Sequence, residues 1–342
     1  MDRIIIGIHG LRNKPPARAL KDWWLLSIRD GIDNLSKPQL HFNFELIYWV
    51  DLLYKEPADP FITDHDAPLY FKSPYKKIEY SSPPHLELKR LRRRGRFEKI
   101  SDQLFHSNRL LESFEGISDR LIHSRFHDLE VYLRNWTGNQ EAHDRPIRDV
   151  ILERLGGVLL KHRHKKIMIL AHSMGSIVVY DLLTQPDNPF HVHTLVTMGS
   201  PLGQPTIMSK FTYENPVINK LKTPDNIEHW YNLSDLKDIV ALDPTLGDDY
   251  DPNSNGVAPV DVFIENGYEW DGVANPHSAF GYLQSPECAS YIYQFLTQDR
   301  SKFSQSLNRK YQWVREVLFK DRISRKRRSA AREEKSPDMH RN

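Results

Sequence analysis

The hydrophobic and polar positions along the chain predict an alternation of buried strands and amphipathic helices. Residues 3–8 and 167–170 are short apolar runs, which are typical of strands buried on both faces. Residues 17–35 place apolar side chains at helical spacing, and residues 42–50 then alternate as a strand does. A strand, a helix and another strand in this order predict a right-handed parallel unit.

The second half of the chain continues this alternation. A helix is predicted over residues 144–161, and an apolar helix is predicted after residue 173. Three more short strands are predicted at residues 193–198, 226–233 and 260–264. The order favours an α/β fold class, with a doubly wound, mostly parallel sheet of about six strands and helices on both faces.

Residues 55–143 interrupt the alternation. Their first part is rich in proline, aspartate and tyrosine and predicts irregular chain, whereas residues 85–126 have helical spacing. An insertion between two sheet strands usually lies over the strand ends, so we expect a helical cap that lines a pocket. The core then comprises residues 1–54 and 144–319, and a basic, disordered tail is expected at 320–342.

Composition narrows the class of protein. The chain has 342 residues, of which 39% are hydrophobic, and a formal net charge of +2, so nothing demands an acidic partner. The single cysteine, Cys288, excludes an internal disulfide and suits a reducing compartment. A strand from residue 3 leaves no room for a signal peptide, and no run of about 18 apolar residues occurs. We therefore expect a cytoplasmic protein.

Two basic clusters, Arg90–Arg96 and Arg325–Arg328, each allow two interpretations. A solvated helix face is favoured for the first and a disordered tail for the second. Weak contact with an anionic membrane surface or with nucleic acid is the alternative for both. No nucleic-acid partner is expected, because basic and aromatic residues are not strongly interleaved. The sequence does not indicate an oligomeric state.

The motif with the clearest chemical meaning is Ala171-His172-Ser173-Met174-Gly175, which joins the buried strand to the apolar helix. A strand that turns directly into a helix needs small residues two positions before and after the turning residue. That residue is strained and its side chain stands clear of the backbone, as in a nucleophile elbow, here with Ala171 in place of the first glycine. The helix N-terminus favours negative charge beside Ser173. We therefore interpret Ser173 as the candidate nucleophile.

Candidates for an acid and a base come later in the chain. Asp235 and Asp238 follow the strand predicted at 226–233, and either one could orient a histidine. We favour Asp238, because the Asp-x-Val placement sets its carboxylate at the turn of the loop. His277 follows the last predicted strand, in a loop with proline, serine and glycine just before a helix. Such a loop position favours a reactive histidine over one buried in the core.

The dipeptide His9-Gly10 follows the first predicted strand directly. A glycine here lets the chain turn tightly beside the nucleophile, which brings a backbone N–H to an oxyanion. A plain turn at the end of a strand is the alternative interpretation. Ser200 competes with Ser173 for the role of nucleophile, but a proline follows it in place of a helix, and we reject it.

With Ser173, Asp238 and His277 in this order, the chain resembles the α/β-hydrolase superfamily, and more closely its lipase- and esterase-like members. The resemblance spans about residues 3–50 and 144–295. It rests on five stretches: His9-Gly10, Ala171 to Gly175, Gly199-Ser200-Pro201, Asp235 to Val240 and His277. The chain departs from the family in Ala171 and in its first strand, which matches the family's third, so two leading edge strands are missing.

The resemblance implies acyl-transfer chemistry. His277 would take the proton of Ser173 as the hydroxyl attacks an acyl carbonyl, and Asp238 would orient His277, with Asp235 as the alternative acid. The backbone N–H groups of Leu11 and Met174 would hold the oxyanion. The supporting loop residues are His9, Gly10 and Gly175. No metal or organic cofactor is implied.

The function that this resemblance favours is a serine hydrolase that cleaves a carboxylic ester, with a small-molecule ester or a lipid as the substrate. A thioesterase or acyltransferase with the same site is one alternative. The other alternative is a catalytically silent scaffold or binding protein that keeps the fold, in which the two basic clusters would carry the function.

Overall fold

The computed structural model describes residues 2–80, 128–129, 131–132, 145–211, 220–241 and 243–298. The predicted helical cap at 85–126, both basic clusters and the predicted tail lie outside these residues. The chain divides into two compact units, Met1–Tyr293 and Gln294–Asn342. The sheet and the site described below belong to the first unit.

Six strands form a single all-parallel sheet, as the sequence predicts. Counting also four short strands outside this sheet, the strands of the described residues are, in chain order, β1 Arg3–Ile8, β2 Asn43–Ile47, β3 Lys166–His172, β4 Val192–Met198, β5 Leu221–Lys222, β6 Ile227–Asp235, β7 Tyr250–Asp251, β8 Val260–Ile264, β9 Glu269–Trp270 and β10 Val273–Ala274. The central sheet has the order β2-β1-β3-β4-β6-β8, and each neighbouring pair is parallel. The short strands β5 and β7 pair with each other, as do β9 and β10.

Helices flank the central sheet. They are α1 Ala17–Asn34, α2 Ile147–Lys161, α3 Met174–Thr184, α4 Pro205–Phe211, α5 Ala279–Gln284 and α6 Pro286–Thr297, with one 3₁₀ turn at Val50–Leu52. None of the helices in the described ranges has both the length and the hydropathy that crossing a bilayer requires.

The core lies on both faces of the sheet. Along β1, Ile4, Ile6 and Ile8 join a buried cluster with α2 and α3, whereas Gly7 faces the ring of Trp24 in α1. Successive strand residues point to opposite faces, so α1 lies on one face and α2 and α3 lie on the other. Each fully buried isoleucine or leucine contributes about 1.5–3 kcal/mol relative to an exposed one. Burial on both faces explains why these strands are continuous apolar runs.

The strand predicted over residues 42–50 is shorter than expected and ends at Ile47. The reason is Trp49, whose backbone N–H donates to His9 Nε2 at 3.2 Å and whose indole N–H donates to the His9 carbonyl at 3.0 Å. These bonds turn the chain across the end of β1 and into the 3₁₀ turn. In the described part of the chain, no strand pairs with the outer edge of β2.

The first part of the predicted insertion, residues 55–80, contains no helix and one isolated bridge, between Asp59 and Tyr70. It packs beside α1 and α5: the Ile78 N–H donates to Gln284 Oε1 at 2.7 Å, and Phe71 stacks on Trp23. This irregular segment therefore runs along α1, from Trp23 near its start to Asn34 at its end, whose side-chain amide donates to the Ile78 carbonyl at 3.3 Å.

Candidate active site

Ser173 lies at the junction of β3 and α3 in a strained conformation. Its φ of 54° and ψ of −128° lie outside the regions that non-glycine residues favour, at a cost of about 1–3 kcal/mol. Neighbouring groups hold it there: the Ser173 N–H donates to the Met198 carbonyl at 3.0 Å, and Ser176 Oγ donates to the Ser173 carbonyl at 2.6 Å. The strain is thus balanced by fixed backbone contacts on both sides of the turn.

Small residues around Ser173 are required by close packing. A Cβ on Gly175 would lie 2.6 Å from the Ile8 carbonyl oxygen, and a Cβ on Gly10 would lie 2.5 Å from Ser173 Cβ. Ala171 is fully buried at the end of β3. The turn therefore places the Gly10–Leu11 peptide directly beside the serine side chain.

His277 links the serine to a carboxylate. Its Nε2 lies 3.0 Å from Ser173 Oγ, and its Nδ1 lies 2.7 Å from Asp238 Oδ2. Because a carboxylate accepts the Nδ1 hydrogen, Nε2 carries the lone pair that accepts the serine hydroxyl hydrogen. Ser173 is 3% exposed, and the His277 side chain is 25% exposed, so solvent reaches the imidazole more readily than the hydroxyl.

Asp238 is the carboxylate that reaches this histidine. Its side chain is completely buried. Besides the His277 bond, Oδ2 accepts the Tyr282 hydroxyl at 2.8 Å, and Oδ1 accepts the Val240 N–H at 2.9 Å. These donors therefore hold the buried carboxylate in a single orientation.

Asp235, the alternative acid, bonds to the backbone instead. Its carboxylate accepts the N–H of Lys237 at 2.8 Å and that of Asn266 at 2.6 Å. Burial raises the pKa of this carboxyl group, and the two backbone bonds oppose the rise. Asp235 therefore joins the loop after β6 to the chain that follows β8. This geometry favours Asp238 as the partner of His277.

Gly199 leaves the space in which Asp238 and His277 meet. It follows β4 with a φ of +55°, which side chains rarely adopt. A Cβ here would lie 2.6 Å from Asp238 Oδ2 and 3.0 Å from His277 Nδ1. The next residue, Ser200, hydrogen-bonds to Ser176 Oγ at 2.8 Å, so its hydroxyl is part of the elbow's support.

The His277 loop is held from both sides. His172 lies next to Ser173, and its Nε2 bonds to the His277 carbonyl at 2.8 Å. On the other side, Asn275 accepts the His277 N–H at 3.2 Å and donates to Ser73 Oγ at 3.0 Å. Burial keeps the pKa of His172 well below its ordinary value, so this imidazole is neutral. The sequence did not reveal the Ser73 contact, because it joins residues 202 positions apart.

His9 is a fixed part of the loop after β1. Its Nδ1 lies 2.9 Å from the Gly10 carbonyl, and its Nε2 accepts the Trp49 N–H. Its ring also stacks on that of Trp49, with centroids 5.1 Å apart. Burial lowers the pKa of His9 to about 3, so the ring is neutral near pH 7. His9 thus shapes the loop and does not point toward Ser173.

Lys14 and Asp128 complete this loop, and no sequence pattern singles them out. Lys14 Nζ donates to the carbonyls of Leu11 and Arg12, and the Arg12 N–H donates to Asp128 Oδ2 at 2.8 Å. Burial lowers the pKa of Lys14 to about 7, although Asp128 opposes the change. These bonds hold the two peptide units on either side of Arg12, which itself has a φ of 71°.

The backbone N–H of Met174 lies at the first position of α3, where helical N–H groups have no partner within the helix. The N–H of Leu11 follows Gly10, whose backbone lies beside the serine side chain. Ser173 therefore stands between two backbone segments on one side and an imidazole on the other. A nucleophile, a base and an orienting acid in contact are the groups that covalent acyl transfer uses.

Comparison with known proteins adds a family to this geometry. Residues 151–240, about a quarter of the chain, match the family model described as a PGAP1-like alpha/beta domain. The match includes Ser173 and Asp238 and ends before His277. No curated protein and no solved structure matched the chain. Together, this match and the six-stranded parallel sheet with its flanking helices show an α/β-hydrolase-like fold.

Proposed function

We propose that the protein is a serine hydrolase that cleaves a carboxylic ester through an acyl-enzyme on Ser173. The observation that supports this most directly is the continuous set of contacts from Ser173 Oγ to His277 at 3.0 Å and from His277 to Asp238 at 2.7 Å. These distances suit proton transfer from the hydroxyl to the imidazole without any large movement.

The first half of the reaction forms the acyl-enzyme. Ser173 Oγ attacks the acyl carbon while His277 Nε2 takes the hydroxyl proton, and the carbonyl electron pair moves onto oxygen. When the tetrahedral intermediate collapses, the bond to the alcohol oxygen breaks. His277 then gives its proton to this oxygen, which leaves as the alcohol.

Water completes the cycle by the same route. His277 takes a proton from water as the water oxygen attacks the acyl carbon, and the acid is released when the bond to Ser173 breaks. Asp238 keeps the Nδ1 hydrogen in place and stabilises the positive imidazolium in both halves. The Tyr282 hydroxyl and the Val240 N–H support this carboxylate.

In this proposal, the N–H groups of Leu11 and Met174 bind the oxyanion. They are backbone donors on fixed segments, so they need little reorganisation as charge develops. Removing one such donor lowers kcat by about 10²–10³ in comparable sites.

The finer features of the substrate are also part of the proposal. A lipid ester is favoured by the lipase-like resemblance, and a thioester or a different acyl acceptor would use the same three side chains. A cytoplasmic location is supported by Cys288, which is a buried free thiol. Contact of Arg90–Arg96 and Arg325–Arg328 with an anionic membrane surface would bring the enzyme to lipid substrates.

A panel of esters and thioesters of graded acyl length tests the proposal. We expect the wild-type protein to hydrolyse at least one ester series and Ser173→Ala to lose roughly 10⁴-fold or more of that rate. Ser200→Ala is the matched control, because Ser200 is also buried and bonds to Ser176. A folded Ser173→Ala that keeps a near wild-type rate would remove the serine mechanism, and a wild-type protein inert to the whole panel would favour the scaffold alternative.

A further inference from the structure

Three side chains with metal-binding groups meet at the end of the sheet opposite Ser173. His193 lies at the start of β4, and Glu228 and His229 lie at the start of β6. The two strands are parallel neighbours, with Val192 opposite Ile227 in the register. Since Ser173 follows the carboxyl end of β3, this cluster at the amino ends of β4 and β6 is separate from the candidate active site.

The geometry of the cluster suits a single small cation. The ligand atoms of His193, Glu228 and His229 all lie within 4.8 Å of one another. His193 Nε2 is 3.8 Å from Glu228 Oε2, and the two imidazole rings meet edge to face with centroids 5.2 Å apart. Zinc bonds of about 2.0–2.1 Å require neighbouring ligand atoms about 3.4 Å apart. The half-exposed Glu228 side chain can rotate to make up this difference.

Thr194 prepares His193 to act as a ligand. His193 Nδ1 lies 2.8 Å from Thr194 Oγ1, and when this oxygen accepts the Nδ1 hydrogen, the lone pair lies on Nε2, the atom that faces Glu228. Metal-bound histidines are held in this way by a second partner on the other ring nitrogen. The His193 side chain is only 5% exposed, so its orientation is fixed before any ion arrives.

Positive charges near the cluster oppose cation binding. Lys166 and Arg3 lie close enough to His193 to disfavour a positive charge on its ring. Their charge is the electrostatic cost that the Glu228 carboxylate has to offset when a cation binds.

We propose that His193, Glu228 and His229 form a binding site for one divalent transition-metal ion, with Zn²⁺ as the best match. Two imidazoles and one carboxylate are a ligand set that zinc uses, with water in the fourth position. A bound ion would link the first residues of β4 and β6, at the end of the sheet opposite Ser173.

Another histidine–carboxylate pair in the molecule provides a matched control. His162 Nε2 lies 2.8 Å from Glu45 Oε2, which is closer than the 3.8 Å between His193 Nε2 and Glu228 Oε2. Its third member is Lys161, whose Nζ lies 3.1 Å from the same carboxylate. The Lys161 ammonium group occupies the place of a third metal ligand, so this pair should bind no metal.

The test is a Zn²⁺ titration of the full-length, chelator-treated protein against a competing indicator. We expect one tight equivalent per chain in the wild type and in Glu45→Gln. Glu228→Gln should weaken binding by more than about tenfold, and Thr194→Val, which removes the partner of Nδ1, should weaken it by about tenfold. Glu228 is half exposed, so its variant should fold, which circular dichroism would verify.

Co²⁺ provides a second measurement that does not depend on an indicator. The wild-type protein with one equivalent of Co²⁺ should show the intense visible absorption of a four-coordinate ion, and Glu228→Gln should lack it. Two results would overturn the proposal: a wild-type chain with no tight equivalent, or Glu228→Gln and His229→Gln variants that bind Zn²⁺ as tightly as the wild type does.

Discussion

On one side of Ser173, side chains bond to side chains: the hydroxyl meets His277, His277 meets Asp238, and Asp238 meets Tyr282. On the other side, side chains bond to the backbone. There, Lys14 donates to the carbonyls of the loop after β1, and His9 bonds along the same loop. The first side can move a proton, and the second can hold backbone N–H groups in place.

The two sides should therefore respond differently to substitution. In the proposed mechanism, a change on the His277 side alters which atom carries a proton, so its effect on rate should be large even when the fold is unchanged. A change on the Lys14 side alters only how firmly backbone N–H groups are held, so its effect should be smaller and should extend to stability.

On the His277 side, the largest expected effect comes from comparing substitutions of Asp238 and Asp235, which lie just after β6 and at its last residue. We expect Asp238→Asn to lower kcat on the best ester by on the order of 10⁴, because an amide at this position favours the wrong tautomer of His277. Asp235→Asn keeps one acceptor for its backbone partners and should cost about tenfold or less, the equivalent of one hydrogen bond. Steady-state kinetics of the two variants decide the matter, and a reversed order would move the acid to Asp235.

The next substitution removes the Lys14 bonds to the loop after β1. Lys14→Met keeps an apolar stem of similar length and removes the donor to the carbonyls of Leu11 and Arg12. We expect kcat to fall by roughly tenfold with little change in KM, which is less than the 10²–10³ that losing an oxyanion donor costs. Lys55→Met is the control, because Lys55 is exposed. A kcat for Lys14→Met that equals that of the control would show that the loop needs no such support.

The smallest effect concerns the pH dependence of stability. The pKa of His9 is lowered by burial from 6.5 to about 3, so between these values the unfolded chain binds a proton that the folded chain does not. The contribution of His9 to stability is full above pH 6.5 and is lost as the pH falls toward 3, by up to about 1.4 kcal/mol per pH unit.

His9→Gln removes this titration. Urea unfolding at neutral pH and at about pH 4.5 should therefore show a smaller loss of unfolding free energy in the variant than in the wild type. If the free energy of unfolding falls by the same amount between the two pH values in both proteins, His9 titrates normally in the folded state.

The sequence predicted the sheet well because its central strands are buried on both faces. An apolar run marks β1 with the bounds that the structure has, Arg3–Ile8, and the edge strand β8 also has its predicted bounds, Val260–Ile264. The strand predicted to reach residue 50 ended at Ile47, because Trp49 bonds to His9 across the end of β1. Such a bond depends on residues 40 positions apart and leaves no local pattern.

The same limit applies to the candidate site. Ser173 and His277 could be selected from local patterns, since a strand–turn–helix and a polar loop are both visible in sequence. Lys14 and Tyr282 could not, because each acts through a partner that only the fold brings near. Asp235 and Asp238 lie three residues apart, at the last residue of β6 and just after it. Only the direction of the loop decides which of the two contacts His277.

The most direct test of Ser173 as the nucleophile is labelling with a fluorophosphonate probe, which reacts with an activated serine. We expect one adduct per chain in the wild-type protein, mapped to Ser173 by peptide mass spectrometry, and no adduct in folded Ser173→Ala or His277→Ala. A folded wild-type protein that stays unlabelled, or an adduct on another serine, would contradict it.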